Sequence, residues 1–592
     1  MDRRVARRNV LIAGGLAAAG SVVGGSVVGG GTPAAAESGG ARGGLDWLMD
    51  MVSHNPGEPL TESVYNDPAV LAGYGHNAQV VNEYRAPHTA VTFDSFDERI
   101  FPAGSAAREW VRNNANDIEA RIRRIHAAGL KALYFTDIIV LPKRLVELYG
   151  AEVTDDQGRI SLDRPLTRQL HRIMLAEVFD RFPELDGLVV RHGETYLANA
   201  PFHTGNNPIT RGADSHLILL DILRDEICAK RDKLLFYRTW SFDGFHTDPA
   251  YYLSVTDRVE PHPKLLFSIK HTQGDYWRTM PFNPTLTTGR HQQIVEVQCQ
   301  REYEGKGAHP NYVGDGVING FEEFAGTTGP KGLADIRDHP NLRGVWTWSR
   351  GGGWRGPYLR NELWCDLNFS VLSRWAHEPA RDEESIFEEY GRKLGLPAPD
   401  RARFRELALT SAAGVLRGHY SLLFTLDNVN WTRDQFIGGS DKDLTEDFHG
   451  IYDAGLVDAA LAEKAEAVQH WTRIDRLARQ LRPRDQDVRD YLRVSARYGL
   501  LLHRIFHHGW GVTLTGFVGD QTGDYDTATI RAHLAGYDRA WTDLDRLDDE
   551  NPSCATLYVP QSFGTHNPDG TWDADPDHGM RQSVDRYRQL TS

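Results

Sequence analysis

Between residues 45 and 348 the chain repeats short apolar runs, most of them followed by a stretch whose apolar positions step by three and four. The runs fall at 45–52, 78–83, 129–137, 187–191, 233–239, 265–270, 294–299 and 344–348. Runs such as LLFSI are apolar throughout, as a strand covered on both faces of a parallel sheet requires. The stretches between them read as helices: 113–129, NNANDIEARIRRIHAAG, sets Ile118, Ile122 and Ile125 on one face and ends at a glycine. Eight strands alternating with helices predict an α/β chain built on a (β/α)8 TIM barrel over 45–378.

Beyond 378 the pattern changes to helix alone, which predicts a mostly α-helical C-terminal domain over 379–550. Leu461, Ala465, Val468, Trp471, Ile474, Leu477 and Leu481 make one apolar stripe. Such a stripe packs into a core or against a second copy of the chain, so a homodimer through these helices is one expectation. Residues 551–592 are rich in Pro, Gly and Asp and read as an irregular tail. Asp573, Asp575 and Asp577, like Asp524 and Asp526 upstream, alternate as calcium ligands do, yet lack the EF-hand's spacing, glycine and closing glutamate. They read as solvated acidic loops.

The N-terminus stands apart from this pattern. MDRRVARRNVLIAGGLAAAGSVVGG carries the paired Arg7 and Arg8 and a glycine-broken, mildly apolar stretch, and Ala34, Ala35 and Ala36 precede Glu37. This is the form of a twin-arginine export signal over 1–36, too weakly apolar for a spanning helix, with 37–44 as a flexible lead-in. A secreted protein is expected, free of the membrane after signal cleavage.

A net charge of −15 argues against a nucleic-acid partner, which needs a basic face to displace counterions. Cys228, Cys299, Cys365 and Cys554 are scattered without CxxC or zinc spacing and read as buried thiols. No GxGxxG or GxxxxGK[ST] follows a strand, and His192, His246 and His271 form no HxH or HExxH pattern. Neither a cofactor nor a metal is therefore expected.

Candidate chemistry gathers where the apolar runs end. LDGLVVRHGETY, KLLFYRTWSFDG, KLLFSIKHTQGDYW and QQIVEVQCQREYEG deliver Arg191, Glu194, Arg238, Lys270, Asp275 and Glu302. In a parallel barrel the C-terminal strand ends converge on one face, so residues distant in sequence share one pocket. Glycoside cleavage needs one protonated carboxyl beside the leaving oxygen and one carboxylate that activates water or attacks, and Glu194, Asp275 and Glu302 supply three candidates. Arg191, Arg238 and Lys270 close their strands, and a cation buried there needs an anion: the three carboxylates themselves, or the carboxylate of a sugar acid. Aromatic side chains near the strand ends, among them Tyr196, Trp240, Trp277, Tyr303, Trp346, Trp348 and Trp354, suit either a core or the apolar wall of a sugar pocket.

These segments resemble the α-glucuronidases of glycoside hydrolase family 67. LVVRHGETYLANAP is similar to that family's VKANSEGQPGP, with Glu194 at the position of the acid. SIKHTQGDYWRTMP resembles IKNGPMDFQVREP, which places Asp275 on one water-activating carboxylate, and VEVQCQREYEG resembles VEFQVTQEYTG, which places Glu302 on the other. LRGVWTWSRGGGWRGPYLRNELW is similar to the last-strand segment, including its tryptophan at Trp354. By the same alignment the family's uronate-binding basic residues fall on Arg238 and Lys270, and Arg191 stands one position away from a family lysine. The resemblance runs from about 45 to 395; the family's N-terminal α+β domain has no counterpart, and the motif flanks differ (SEG against GET, MDF against DYW, QEYTG against REYEG). It implies an inverting hydrolase that removes terminal α-linked glucuronic acid, or its 4-O-methyl ether, from xylan-derived oligosaccharides, with Trp240, Trp277, Tyr303 and Trp354 against the sugar.

Overall fold

The computed structural model describes residues 44–54, 60–82, 85–197, 199–240, 244–302, 304–352, 361–423, 445–551 and 580–591. Tyr303, Trp354, Cys554, the aspartates at 573, 575 and 577, the signal over 1–36 and nearly all of the lead-in lie outside the described residues.

Eight parallel strands close a barrel: β1 (Trp47–Val52), β2 (Ala78–Val81), β3 (Lys131–Asp137), β4 (Gly187–Arg191), β5 (Leu234–Arg238), β6 (Leu265–Lys270), β7 (Gln292–Gln298) and β8 (Leu342–Arg350). Closure comes from β1 pairing with β8, Trp47 opposite Gly344 through Met51 opposite Trp348. Each strand coincides with one of the apolar runs. Alternate residues (Met49, Met51, Leu133, Phe135, Val189, Phe236, Leu266, Ile294, Trp346) fill the interior, and the intervening ones face the helices outside. The helix expected near 113–129 spans Ala106–Ala127, with Ile118, Ile122 and Ile125 buried and Gly129 left-handed (φ 79°).

Helix Leu363–His377 follows β8, and from there the described elements are helices. The same apolar cluster that surrounds the barrel continues through Trp375, Phe387 and Phe404 into Trp471, Ile474, Leu477 and Leu481 of the predicted stripe, so the stripe's centre is covered within this chain. Helices Gln486–Thr522 and Thr527–Glu550 reverse at Gly523 (φ 77°) and build a second cluster around Trp510 and Phe506. Asp526, considered as a calcium ligand, accepts a hydrogen bond from the Thr529 amide and caps the second of these helices. The segment read as an irregular tail contains a helix, Met580–Leu590, held because Val584 and Tyr587, three residues apart, bury against that second cluster. Cys228, Cys299 and Cys365 are buried free thiols. Among the described residues no helix is long and apolar enough to cross a membrane.

Candidate active site

Period-two alternation decides which strand-end residues meet. Phe135, Val189 and Phe236 point inward, so Asp137, Arg191 and Arg238, two residues later, point inward too and close their strands. Leu266 sets the same parity for Lys270, Ile294 for Glu296 and Gln298, and Trp346 for Trp348. Register aligns them: Asp137 lies opposite Arg191, Lys270 opposite Glu296, and Gln298 opposite Trp348. The interior thus ends in a charged layer resting on aromatic rings.

Three ion pairs make up that layer. Arg191 donates from Nε and Nη2 to the Asp137 carboxylate at 2.5 and 2.7 Å, with Glu194 3.7 Å from its Nη1. Arg238 donates from Nε and Nη2 to Glu296 at 2.8 and 2.7 Å. Lys270 pairs with Asp275. Rings close the remaining sides: the Arg191 and Arg238 guanidinium carbons lie 5.1 and 5.2 Å from the Phe135 centroid. Arg238 lies 5.1 Å from Trp348, and the Lys270 ammonium 3.7 Å from Trp240. Burial alone would pull the Arg191 and Arg238 guanidiniums down, but Asp137 and Glu296 reverse this and raise both. Among the described residues, the carboxylates of Asp137, Glu194, Asp275 and Glu296 gather with Arg191, Arg238 and Lys270 at this mouth, with Glu302 on the loop beyond β7.

Depth sorts these groups. The side chains of Glu194, Asp275 and Arg191 are 25%, 17% and 15% exposed, whereas Arg238 and Glu296 are 2% and 0%. Glu194 and Asp275 are thus more exposed than the Arg238–Glu296 pair.

Each candidate acid rides on a braced loop. After β4, Thr195 bonds to Asn206 and Asn207, and the Tyr196 amide donates to Asp137, fixing the turn that presents Glu194. Tyr196, 37% exposed, lies 5.0 Å from the Arg191 guanidinium, and burial together with Glu194 raises its phenol to about 12. The loop carrying Asp275 doubles back on itself: Gln273 bonds to Pro281 and Asn283 to His271, while His246 and Asn283 hold the Thr272 carbonyl. Beyond β7, the Glu302 amide donates to Gln298 Oε1 at 2.7 Å. A Cβ at Gly352 would stand 2.6 Å from Glu302 Oε2, so only glycine fits beside that carboxylate.

The Glu302 loop also carries left-handed non-glycine residues, Arg301 (φ 60°) and Lys306 (φ 49°). The buried Arg301–Glu304 pair holds it, and the helical region clamps that pair: Tyr420 donates to Glu304, Tyr491 to the Gly307 carbonyl, and Arg278 to the Ala412 carbonyl.

The structure thus brings Arg191, Glu194, Arg238, Lys270, Asp275 and Trp240 together by direct contacts or through shared rings, with Glu302 on the neighbouring loop. Trp277 instead packs on Gly274 and against the apolar layer outside the barrel. Sequence reasoning did not name Asp137, Glu296 or Tyr276, whose hydroxyl lies 3.3 Å from Glu296. Asp137 closes its apolar run as the basic residues do, and Glu296 is the one charged residue in QQIVEVQ, so both signals were present. His192, His246 and His271 serve as packing and hydrogen-bonding groups: the His192 ring lies tilted against His216 with centroids 4.2 Å apart, His246 bonds to the Thr272 carbonyl, and His271 bonds to the Glu296 carbonyl.

No protein-family model matches the sequence, and no curated protein does. Among solved structures, a GH138 enzyme targeting pectin rhamnogalacturonan II superposes with a TM-score of 0.58 at 12% identity, covering 93% of this chain and 83% of its own. An O-GlcNAc hydrolase variant from Thermobaculum terrenum gives 0.37 at 8% identity, covering 93% of each chain. A GH20 exo-β-N-acetylglucosaminidase from Vibrio harveyi gives 0.31 at 10% identity, covering 57% of this chain and 55% of its own. The fold of this chain, a closed eight-stranded parallel barrel followed by helices, is the one it shares with the first of these.

Proposed function

We propose that the protein is a secreted glycoside hydrolase, exported by the twin-arginine route, that removes a terminal α-linked glucuronic acid or 4-O-methylglucuronic acid from xylan-derived oligosaccharides. The observation that carries the reading is the single mouth where the partly exposed Glu194 and Asp275 gather with Arg191, Arg238 and Lys270. In this reading Glu194 protonates the leaving oxygen, and Asp275 or Glu302 activates water on the opposite face of the ring, inverting the anomeric centre. Arg191, Arg238 and Lys270 together meet the substrate carboxylate in this reading.

Turnover of aldouronic acids tests it. Glu194→Gln is expected to lower kcat by about a thousandfold or more, within the range that proton transfer by a placed side chain supplies together with orientation. Normal turnover in that variant sinks the acid assignment. Proton NMR of the first-formed sugar should show the β-anomer; an α-anomer refutes inversion.

One observation favours a second reading, a glycosidase for another uronate or a neutral sugar: every cation of the mouth already has a carboxylate of the protein beside it. A panel with aryl glycosides and oligosaccharides of pectin rhamnogalacturonan II, the material targeted by the GH138 enzyme above, separates the two. Sugar binding by calorimetry without turnover of any member would instead indicate a carbohydrate-binding protein.

A further inference from the structure

Far along the chain from the barrel strands, three imidazoles meet between the two long helices of the C-terminal region. His507 and His508 come from Gln486–Thr522 and His533 from Thr527–Glu550, and one ring nitrogen from each lies within 4.8 Å of the other two. His508 Nδ1 and His533 Nδ1 are 3.2 Å apart. His507 Nδ1 is buried with no hydrogen-bond partner, so one nitrogen of the cluster has a lone pair or proton unmet by the protein.

The helices are built to bring these rings together. A Cβ at Gly511 would stand 2.1 Å from His533 Nδ1, and a Cβ at Gly536 would stand 2.3 Å from the His508 ring. Each helix thus gives up a side chain opposite the other's histidine. Glycine inside a helix is destabilising relative to alanine, so two of them facing two histidines reciprocally is a placement with something to offset it. Arg504 and Arg539 stand close enough to the cluster to act on His508 electrostatically.

We propose that His507, His508 and His533 form a three-imidazole site for a divalent transition metal of the zinc class, with its fourth position open to solvent, that staples the two long helices. Two nitrogens at the usual zinc distance of about 2.0–2.1 Å in tetrahedral geometry lie about 3.3 Å apart, which the His508–His533 spacing already meets. Imidazole nitrogen selects zinc, copper or nickel over calcium and magnesium, which take oxygen. Arg504 and Arg539 oppose the added charge, so the affinity falls short of that of a four-ligand structural site. The staple binds the folded chain alone and therefore raises its thermal midpoint with metal concentration.

The test is a zinc titration of the full-length protein after chelator treatment and dialysis, read by calorimetry and by thermal midpoint, with cobalt substituted to read geometry. One zinc per chain is expected, with a rise in midpoint and the intense visible bands of four-coordinate cobalt. His507→Ala, which removes the orphaned nitrogen and leaves the His508–His533 contact, is expected to weaken binding by about tenfold or more while keeping the metal-free midpoint. His508→Ala combined with His533→Ala should abolish it. Absence of zinc binding by the wild-type chain overturns the proposal, as does zinc bound with unchanged affinity by His507→Ala.

Discussion

In the loop beyond β7, Arg301 and Glu304 have side chains 1% and 0% exposed, and burial would push the Glu304 carboxyl up; the Arg301 charge more than reverses this and brings it down to about 2. Between the long helices and the barrel, His503 is equally buried, beside His309 and Trp471, and burial drives its imidazole well below the ordinary histidine range. One region keeps buried charge by pairing it, the other excludes charge by shedding a proton. The difference follows what each must do. Under the proposed function, a mouth that cleaves a polar bond needs fixed charges in place before the substrate arrives, whereas a helical clamp needs only volume and hydrogen bonds.

Acid should separate buried neutral imidazoles from buried ion pairs most strongly, and such imidazoles occur in the barrel as well as beside the helices. His309 is lowered to about 4, and His76, His88, His203, His246 and His271 to about 3, in every case chiefly by burial. Their folded pKa values lie below the unfolded value of about 6.5, so below that pH the unfolded chain binds more protons. Their stabilisation is complete above pH 6.5 and erodes down to about pH 3, by up to about 1.4 kcal/mol per pH unit for each imidazole. Glu304 works lower: its contribution is present above about pH 4.5 and is lost as pH falls through about 2. Urea unfolding between pH 8 and 4 is expected to show stability dropping steeply from about pH 6.5. A flat profile from pH 7 to 5 would mean that the buried imidazoles are not neutral.

The next largest effect comes from breaking one pair. Glu304→Gln leaves Arg301 without its counterion in a site closed to water, and is expected to cost about 3–5 kcal/mol in urea unfolding. Because Arg301 precedes Glu302, turnover should fall as well. Replacing both partners, Arg301→Met with Glu304→Leu, is expected to recover most of the stability. If the double variant is no better than Glu304→Gln, the loss arises from packing rather than from stranded charge.

The same division explains what the sequence made legible. All eight strands were readable because the strands of a parallel sheet covered on both faces are mostly apolar, and LLFSI and its counterparts are. Arg191, Arg238 and Lys270 were readable because each interrupts such a run at its end. Asp137 and Glu296 were overlooked because the acids were sought after the strands; inward parity, Ile294 to Glu296 and Phe135 to Asp137, would have found them. The three-histidine cluster has no such signature. His533 is joined to His507 and His508 only by how two helices cross, which depends on Gly511 and Gly536 and not on any ligand spacing. Nor does any motif connect Tyr420 to Glu304, more than a hundred residues away.

Asp50 belongs to neither arrangement, being a carboxyl buried among hydroxyls and backbone amides, and it gives the smallest test. Its Oδ1 accepts from Thr347 Oγ1 and the Ser349 amide at 2.7 and 3.1 Å, and its Oδ2 from Ser349 Oγ at 2.7 Å. Burial raises it to about 7 while those hydrogen bonds pull the other way. Here the folded value lies above the unfolded one, so Asp50 favours folding below about pH 4, and that benefit is lost as pH rises through about 7. Asp50→Asn carries no charge at any pH but loses part of the hydroxyl network. The variant is therefore expected to match or fall below wild type at pH 5 and to exceed it at pH 8 by on the order of 1 kcal/mol. The reversal is the informative result: a loss of equal size at both pH values would show that the hydroxyls hold Asp50 ionised, as an arginine does for Glu304, and that hydrogen bonds alone suffice to keep charge inside this fold.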